Sequence, residues 1–508
     1  MPPLTPGRRA AVTVSLSLAV FMNVLDLSIA NVAIPTIAGD LGVSADNGTW
    51  LITSFAVCAA IAMPLSGWFG RRFGELRTFI FCTAAFTVAS LLCGLAVDLP
   101  MLIAMRAVQG LVSGPMIPLS QSLLLANYPD ERKNVALSLL LMVTIAAPVL
   151  GPILGGWITD NWSWEWVFFI NVPIGIVASL STAFLLRGRE TKTEKIPIDK
   201  IGIGLLALGL GSLQVLLDRG KDLDWFGSST IITLAAIALI ALVLFVAWEL
   251  TDEHPAVDLR LFARRNFTVG AVALCLGYGV YFGNIVLLPL WLQMQLGYTA
   301  TWAGLATAPV GILPILLSPF VGRYMGSIDL RWWATASFVS FGLAAFLFSG
   351  LNTQVTFGQI AWSRMAQGLG LACFFPPLIA VVISGLPANR IASATGLANT
   401  LRTLAGSFAT SLTTTAWDRR EALHQARLSE SVTVFDPAAR AAVDQFQVLG
   451  MPGDTAIATI ERSIVQQAYM LATNELFWCW AWILLALVAL VWLARPPFGG
   501  SSRTLATE

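Results

Sequence analysis

Arg106-Ala107-Val108-Gln109-Gly110-Leu111 and Arg364-Met365-Ala366-Gln367-Gly368-Leu369 are the two stretches whose reading decides the fold. Each sets an arginine and a glutamine one helical turn apart inside a long apolar run. The same offset of 258 residues carries Pro118 onto Pro376. Fainter echoes pair Thr49-Trp50 with Thr301-Trp302, and Pro64-x-x-Gly67 with Pro319-x-x-Gly322. A charged side chain at membrane depth is costly and normally faces a bundle interior or a wet cavity. Its recurrence at matching positions therefore points to two duplicated helical bundles rather than to chance.

The composition sets the same frame. Of 508 residues, 56% are hydrophobic and 12% charged, where a soluble chain carries about 25% charged residues. A soluble multi-domain enzyme is excluded, and an all-α polytopic membrane protein is what remains. Apolar runs of about 20 residues, enough to cross a bilayer core, occur fourteen times. They lie near 10–34, 49–69, 78–97, 101–126, 135–158, 164–186, 200–217, 228–248, 268–292, 300–322, 332–350, 355–383, 394–416 and 474–494. The repeat then divides the chain into a six-helix bundle in 1–190, a linker with two inserted spans in 191–265, and a second six-helix bundle in 266–508. A long outer loop is expected at about 418–470, with seven acidic and five basic residues. With the N-terminus inside, the inner segments hold 20 of the 30 Lys and Arg residues and the short outer loops two. The positive-inside rule thus predicts both termini in the cytoplasm.

Other counts narrow the chemistry. A net charge of +1 gives no case for nucleic acid. All six cysteines lie in apolar runs and neither histidine, His254 or His424, lies in a span, so no metal site is expected. No phosphate-binding loop occurs, since Gly220-Lys221 is followed by Asp222. The chain is expected to be no enzyme and to need no cofactor; a proton gradient would supply the energy.

A proton-coupled machine needs a group that gains and loses a proton, and arginine does not. Asp26, in Leu25-Asp26-Leu27-Ser28-Ile29-Ala30-Asn31-Val32-Ala33-Ile34-Pro35, is the one acidic residue deep in a span and becomes the candidate by elimination. Arg106 is read as the group that tunes it. Asn23, Asn31, Gln109 and Ser113 are expected on the cavity side of the first bundle. Tyr278, Tyr281, Asn284, Arg364, Asn399 and Arg402 are expected to line it from the second. In Pro148-Val149-Leu150-Gly151-Pro152-Ile153-Leu154-Gly155-Gly156 the glycines permit close helix approach and the prolines bend the helix, a hinge or tight seam. The loop Gly67-Trp68-Phe69-Gly70-Arg71-Arg72-Phe73-Gly74 joins tight turns to arginines that can latch neighbouring helix ends.

Together these strings resemble the major facilitator superfamily, in its fourteen-span drug:proton antiporter branch, over nearly the whole chain. The span 1 string, the Arg-x-x-Gln-Gly of span 4, the Gly-Pro-x-x-Gly-Gly of span 5 and Trp164-Glu165-Trp166-Val167-Phe168-Phe169-Ile170-Asn171-Val172-Pro173 carry the likeness. One departure is Arg71, where the family's loop usually has Asp; the general latch scheme then lacks its acidic partner. The resemblance implies export of hydrophobic toxic compounds, antibiotics included, from the bacterial inner membrane by alternating access. It further implies work within a tripartite pump, with a periplasmic membrane-fusion adaptor and an outer-membrane channel. The 418–470 segment is the expected docking element. A dedicated exporter of one metabolite, lipid or siderophore fits the same motifs. A non-transporting receptor or scaffold is opposed by the duplicated bundles and the buried charges.

Overall fold

The computed structural model describes residues 4–498 except 44–47, 49, 130–131, 196, 198, 221–222, 253–254, 433–435 and 449–451. His254 and Lys221 thus lie outside the described residues.

Among the described residues, fourteen helices or bent helix pairs of membrane-spanning length follow one another. They are α1 (Pro6–Asp40), α2 (Trp50–Ala62 continued by Ser66–Phe73), α3 (Glu75–Gly94), α4 (Leu99–Ala126), α5 (Lys133–Asn161) and α6 (Trp166–Leu185). The inserted pair is α7 (Lys200–Arg219) and α8 (Ser229–Thr251). Then come α9 (Arg265–Leu296), α10 (Thr301–Tyr324), α11 (Leu330–Ser349), α12 (Phe357–Ile383), α13 (Ala388–Ser431) and α14 (Gly453–Val491). Eleven are long and apolar enough to cross a membrane as single helices, and α2 and α5 qualify as bent pairs. The fourteenth, α13, is held below that mark by its polar stripe. An even number of spans puts both chain ends on one face, the terminal face; the other is the far face.

The breaks have local causes. α2 bends by 58° between Ala62 and Ser66, where Pro64 supplies no N–H and cannot continue the helix. Two glycines of the repeat set close crossings of helix backbones. A Cβ on Gly110 would lie 2.3 Å from the Phe55 carbonyl oxygen of α2, and one on Gly368 would lie 2.6 Å from that of Val310 in α10. α4 therefore seats on α2 as α12 seats on α10, and only glycine allows either.

The segment expected as a loop at 418–470 is largely helix. α13 runs on to Ser431, α14 starts at Gly453, and a short helix, Pro437–Val448, lies between them. At 1.5 Å per residue a 44-residue helix is about 66 Å long, twice the thickness of a hydrocarbon core. Its outer part is held to α14 by Arg420, whose guanidinium donates twice to Glu475 at 2.5 and 2.6 Å.

The inserted hairpin is bonded to both bundles near the far face. Gln214 donates to Ser407 of α13 at 2.9 Å and Trp225 to Thr415 at 2.9 Å, while Ser411 donates to the Leu217 carbonyl. On the other side Arg219 lies over the ring of Trp50, at the start of α2, at 5.1 Å.

Candidate functional site

Asp26 sits midway along α1 with a fully buried side chain. Its Oδ2 accepts from Arg106 Nη1 at 2.5 Å; its Oδ1 accepts from Asn171 Nδ2 at 2.7 Å and Gln109 Nε2 at 3.1 Å. Arg106, equally buried, also donates from Nη1 to Gln109 Oε1 at 2.9 Å and from Nε to the Leu51 carbonyl at 3.1 Å. Its guanidinium lies over the rings of Phe55, at 4.4 Å, and Phe168, at 5.7 Å. Asn171 donates onward to Ser90 at 3.0 Å. Five helices, α1 to α4 and α6, thus meet at one carboxylate. Only donors face it, which suits the ionised form. Removing one partner of a buried ion pair costs about 3–5 kcal/mol, because the other charge is left uncompensated.

The second bundle repeats the construction. Arg364 Nη1 donates to Asn284 Oδ1 and, at 2.6 Å, to Gln367 Oε1, while Nε reaches the Thr307 carbonyl at 3.4 Å. The repeat offset that carries Arg106 onto Arg364 also carries Gln109 onto Gln367 and Asp26 onto Asn284. The arginine and glutamine recur, and the carboxylate is replaced by an amide; the donations from Gln109 and Asn171 belong to the first cluster.

Between the bundles lies a cavity of about 60 Å³ lined by Val24, Thr144, Pro148, Tyr278, Tyr281 and Arg402 among others. Arg402 stands over Tyr278 at 4.9 Å and Phe375 at 5.4 Å. Tyr278, Tyr281 and Arg402 are thus brought together at this cavity. Gln109, Asn284 and Arg364 sit instead in the two buried clusters. Asn23 ties α1 to α4 through the Ser113 carbonyl at 3.1 Å, the Ser113 hydroxyl donates to Gly110 O, and Asn31 is exposed. Asn399 donates to the Thr395 carbonyl one turn back, as Thr403, Thr410 and Thr414 do to theirs. That stripe satisfies itself largely within its own helix. A larger cavity, about 700 Å³, opens at the terminal face beside Arg9, Arg71, Glu75 and Glu190, away from the Asp26 cluster.

The seam between bundles is shut at the terminal face. A Cβ on Gly67 would lie 1.9 Å from Ser393 Oγ of α13, and one on Gly322 of α10 would lie 2.8 Å from Ser138 Oγ of α5. Arg71 takes the Glu194 N–H on its carbonyl at 2.8 Å, and Arg72 lies over Phe73 at 6.0 Å. The acidic group at this loop comes from the connector after α6. Glu190 accepts from the N–H groups of Leu76 and Arg77, at 3.0 and 2.9 Å, and caps α3. Gly74, at φ 94°, leaves it room. In α5, Gly151 and Gly155 sit against Ser28 and Ile29 of α1, and the Pro148 carbonyl accepts from Ser28 at 3.2 Å. Gly156 faces open space, and the Pro152 side chain lies outside the described residues.

Sequence reasoning missed Asn171 and Glu190. The first was legible as a polar residue inside an apolar span. The second carries no local signal, because its partner helix lies more than a hundred residues upstream.

Two duplicated bundles with buried charges and a cavity between them define a transporter of the alternating-access kind. The sequence matches the profile of the Major Facilitator Superfamily over residues 16–410, and the chain belongs to that family. It is 52% identical, over 98% of its length and 97% of the relative's, to the multidrug export protein EmrB of Escherichia coli K12. It is 47% identical, over 98% of both chains, to the fatty acid resistance protein FarB of Neisseria gonorrhoeae. Among solved structures it resembles the human organic anion transporter MFSD10, with a TM-score of 0.60 at 12% identity, over 96% of this chain and 100% of the other. That last likeness concerns the fold alone.

Proposed function

We propose that this protein is a proton-coupled multidrug exporter of the bacterial inner membrane, with the terminal face and both termini in the cytoplasm. The observation that carries the reading is the Asp26–Arg106 pair: one titratable carboxylate of α1, fully buried, held by residues of α4 and α6, in a chain related to multidrug export proteins. In the closed arrangement Arg106 holds Asp26 as a carboxylate. When the bundles part toward the far face, a proton arriving on Asp26 removes the charge that Arg106 pairs with. The pair loosens, α1 is released from α4, and the protein turns inward; drug binding accompanies proton loss to the cytoplasm. A cavity of about 60 Å³ is far below the roughly 300–1,000 Å³ of small-molecule sites, so cargo enters only when the halves move.

Arg402 above two aromatic rings gives the cavity wall a cation within an apolar surface. Amphipathic acids then belong among the cargo, in keeping with the fatty acid resistance of a relative. The hinge role of the α5 glycines and prolines, the latch role of Gly67, Arg71, Arg72 and Gly74, and the division of the chain near 190 and 265 belong to the same reading. So does a periplasmic membrane-fusion adaptor docked on the outer ends of α13 and α14, leading to an outer-membrane channel. Loss of adaptor co-purification on deleting 430–465 is the expected result; unchanged co-purification removes the adaptor from the scheme.

Drug-driven proton movement in proteoliposomes tests the core of it. Asp26→Asn is expected to abolish gradient-driven export while the protein still folds. Full export by that variant would place coupling elsewhere.

A further inference from the structure

A pair of buried carboxyl groups lies outside the Asp26 cluster, at the base of the inserted hairpin. Asp199 caps α7: its Oδ1 accepts from the Gly202 N–H at 2.7 Å and from Trp248 Nε1 at 3.0 Å. Glu249, in the last turn of α8, is wholly buried, and its Oε2 accepts from the Val257 N–H at 3.2 Å. Each carboxyl group therefore has one oxygen well supplied with donors. The other oxygens, Asp199 Oδ2 and Glu249 Oε1, are buried with no hydrogen-bond partner among the described residues. They converge on one spot, because a Cβ on Gly202 would lie 2.0 Å from the first and 2.7 Å from the second. Glycine at 202 is what leaves that space open.

Two carboxylates side by side out of water do not both stay ionised, and an orphaned buried acceptor costs about 1–3 kcal/mol. A single proton between the two orphan oxygens answers both problems: one carboxyl donates it and the other accepts. We propose that Asp199 and Glu249 bind one proton between them, as a second proton site separate from Asp26.

The site ties three segments together. Asp199 opens α7, Glu249 closes α8, and Val257 belongs to the connector into α9. One residue on, Asp258 pairs with Arg390 of α13 at 3.5 Å. The other charges nearby are Asp252 three residues beyond Glu249, the exposed Lys200, and Arg260, which donates to the Asp252 carbonyl at 3.2 Å. Glu253 and His254 lie outside the described residues. None of the described groups supplies a donor to the two orphan oxygens. Without the proton, two carboxylates face each other and the joint between hairpin and second bundle is forced apart.

Amide substitution of the purified full-length protein in lipid nanodiscs tests the proposal. In Glu249→Gln the amide N–H₂ donates to Asp199 Oδ2 and replaces the proton; Asp199→Asn does the same from the other side and keeps the Oδ1 cap. The folded protein holds a proton that the unfolded chain gives up, so raising the pH destabilises the wild type. Thermal unfolding of the wild type is therefore expected to move to lower temperature as the pH rises. Each amide variant is expected to lose most of that pH-dependent shift while matching the wild type near neutral pH. Each should also lose a carboxylic-acid C=O infrared band that the wild type and Asp26→Asn retain. An unchanged pH-dependent shift in both variants, or no such band in the wild type, overturns the proposal. Stabilisation of the wild type but not Glu249→Gln by sodium or calcium overturns it too, by making the ligand a metal cation. Because Asp26→Asn keeps the band, failure here and failure of the coupling scheme are told apart.

Discussion

The Asp26–Arg106–Gln109 cluster and the Asn284–Arg364–Gln367 cluster are built on one plan and differ by one functional group. In both, an arginine on the fourth helix of its bundle reaches a residue 80 positions upstream, the glutamine one turn on, and a carbonyl of the second helix. In the first bundle the upstream residue neutralises the arginine and can carry a proton; in the second it is a neutral amide. The comparison separates scaffold from chemistry. The shared parts set helix packing, and the unshared carboxylate is where coupling to a proton can reside.

The largest expected effect, after loss of export in Asp26→Asn, comes from Arg106→Ala, which strands Asp26 without its counter-charge. A loss of about 3–5 kcal/mol in stability should appear in thermal unfolding in detergent; a drop no larger than that of Arg364→Ala would break the asymmetry. Gly110→Ala and Gly368→Ala test the shared scaffold. Each drives a methyl group into a carbonyl of the neighbouring helix, and each should cost about 1–3 kcal/mol. Clearly unequal losses would mean the two crossings are not equivalent. Asn284→Asp turns the second cluster into a copy of the first. Arg364 gains a counter-ion, so stability should rise by about 1 kcal/mol or a little more, while proton-coupled export persists through Asp26. Loss of coupling in that variant would show that the second cluster must stay acid-free.

The smallest effect concerns how the third helix of each bundle starts. α3 is capped by Glu190 from a distant connector, whereas α11 is capped by its own Asp329, which accepts from the Arg331 N–H at 2.9 Å. Side-chain hydrogen bonds from Arg331 hold the Asp329 carboxyl below the usual carboxylate range. That contribution is present above the unfolded chain's carboxyl pKa and fades as pH falls through the lower folded value. Asp329→Asn should lower stability by less than about 1 kcal/mol, the range of a solvent-screened pair, and only above that window. An equal loss at acid pH would remove the carboxylate from the explanation.

Much of this was legible in the order of residues. Arg-x-x-Gln-Gly, read twice, marks the duplication, and the counts of apolar runs give the helices. Asp26 and Arg106 were expected together because a buried charge seeks its opposite. Asn284 as the counterpart of Asp26 needed only the offset of 258, but an asparagine among tyrosines reads equally as a cavity residue. Glu190 could not be found that way: its bond depends on a connector folding back over a loop whose own acid is replaced by Arg71. The outer extensions of α13 and α14 escaped for a different reason. Helix and solvated loop share one composition once lipid is no longer the solvent, and hydropathy does not distinguish them.

The length of α13 has a mechanical consequence. The helix that carries Arg402 against the cavity continues without a break to Ser431. At 1.5 Å per residue that end lies about 44 Å from Arg402. A tilt of about 10° around Arg402 sweeps it through about 8 Å at the same rise per residue. The helix is a lever arm whose short end rests on the wall of the cavity between the bundles. A small rearrangement around a bound molecule is thus magnified outside the bilayer, and a grip on the outer end is felt at the cavity.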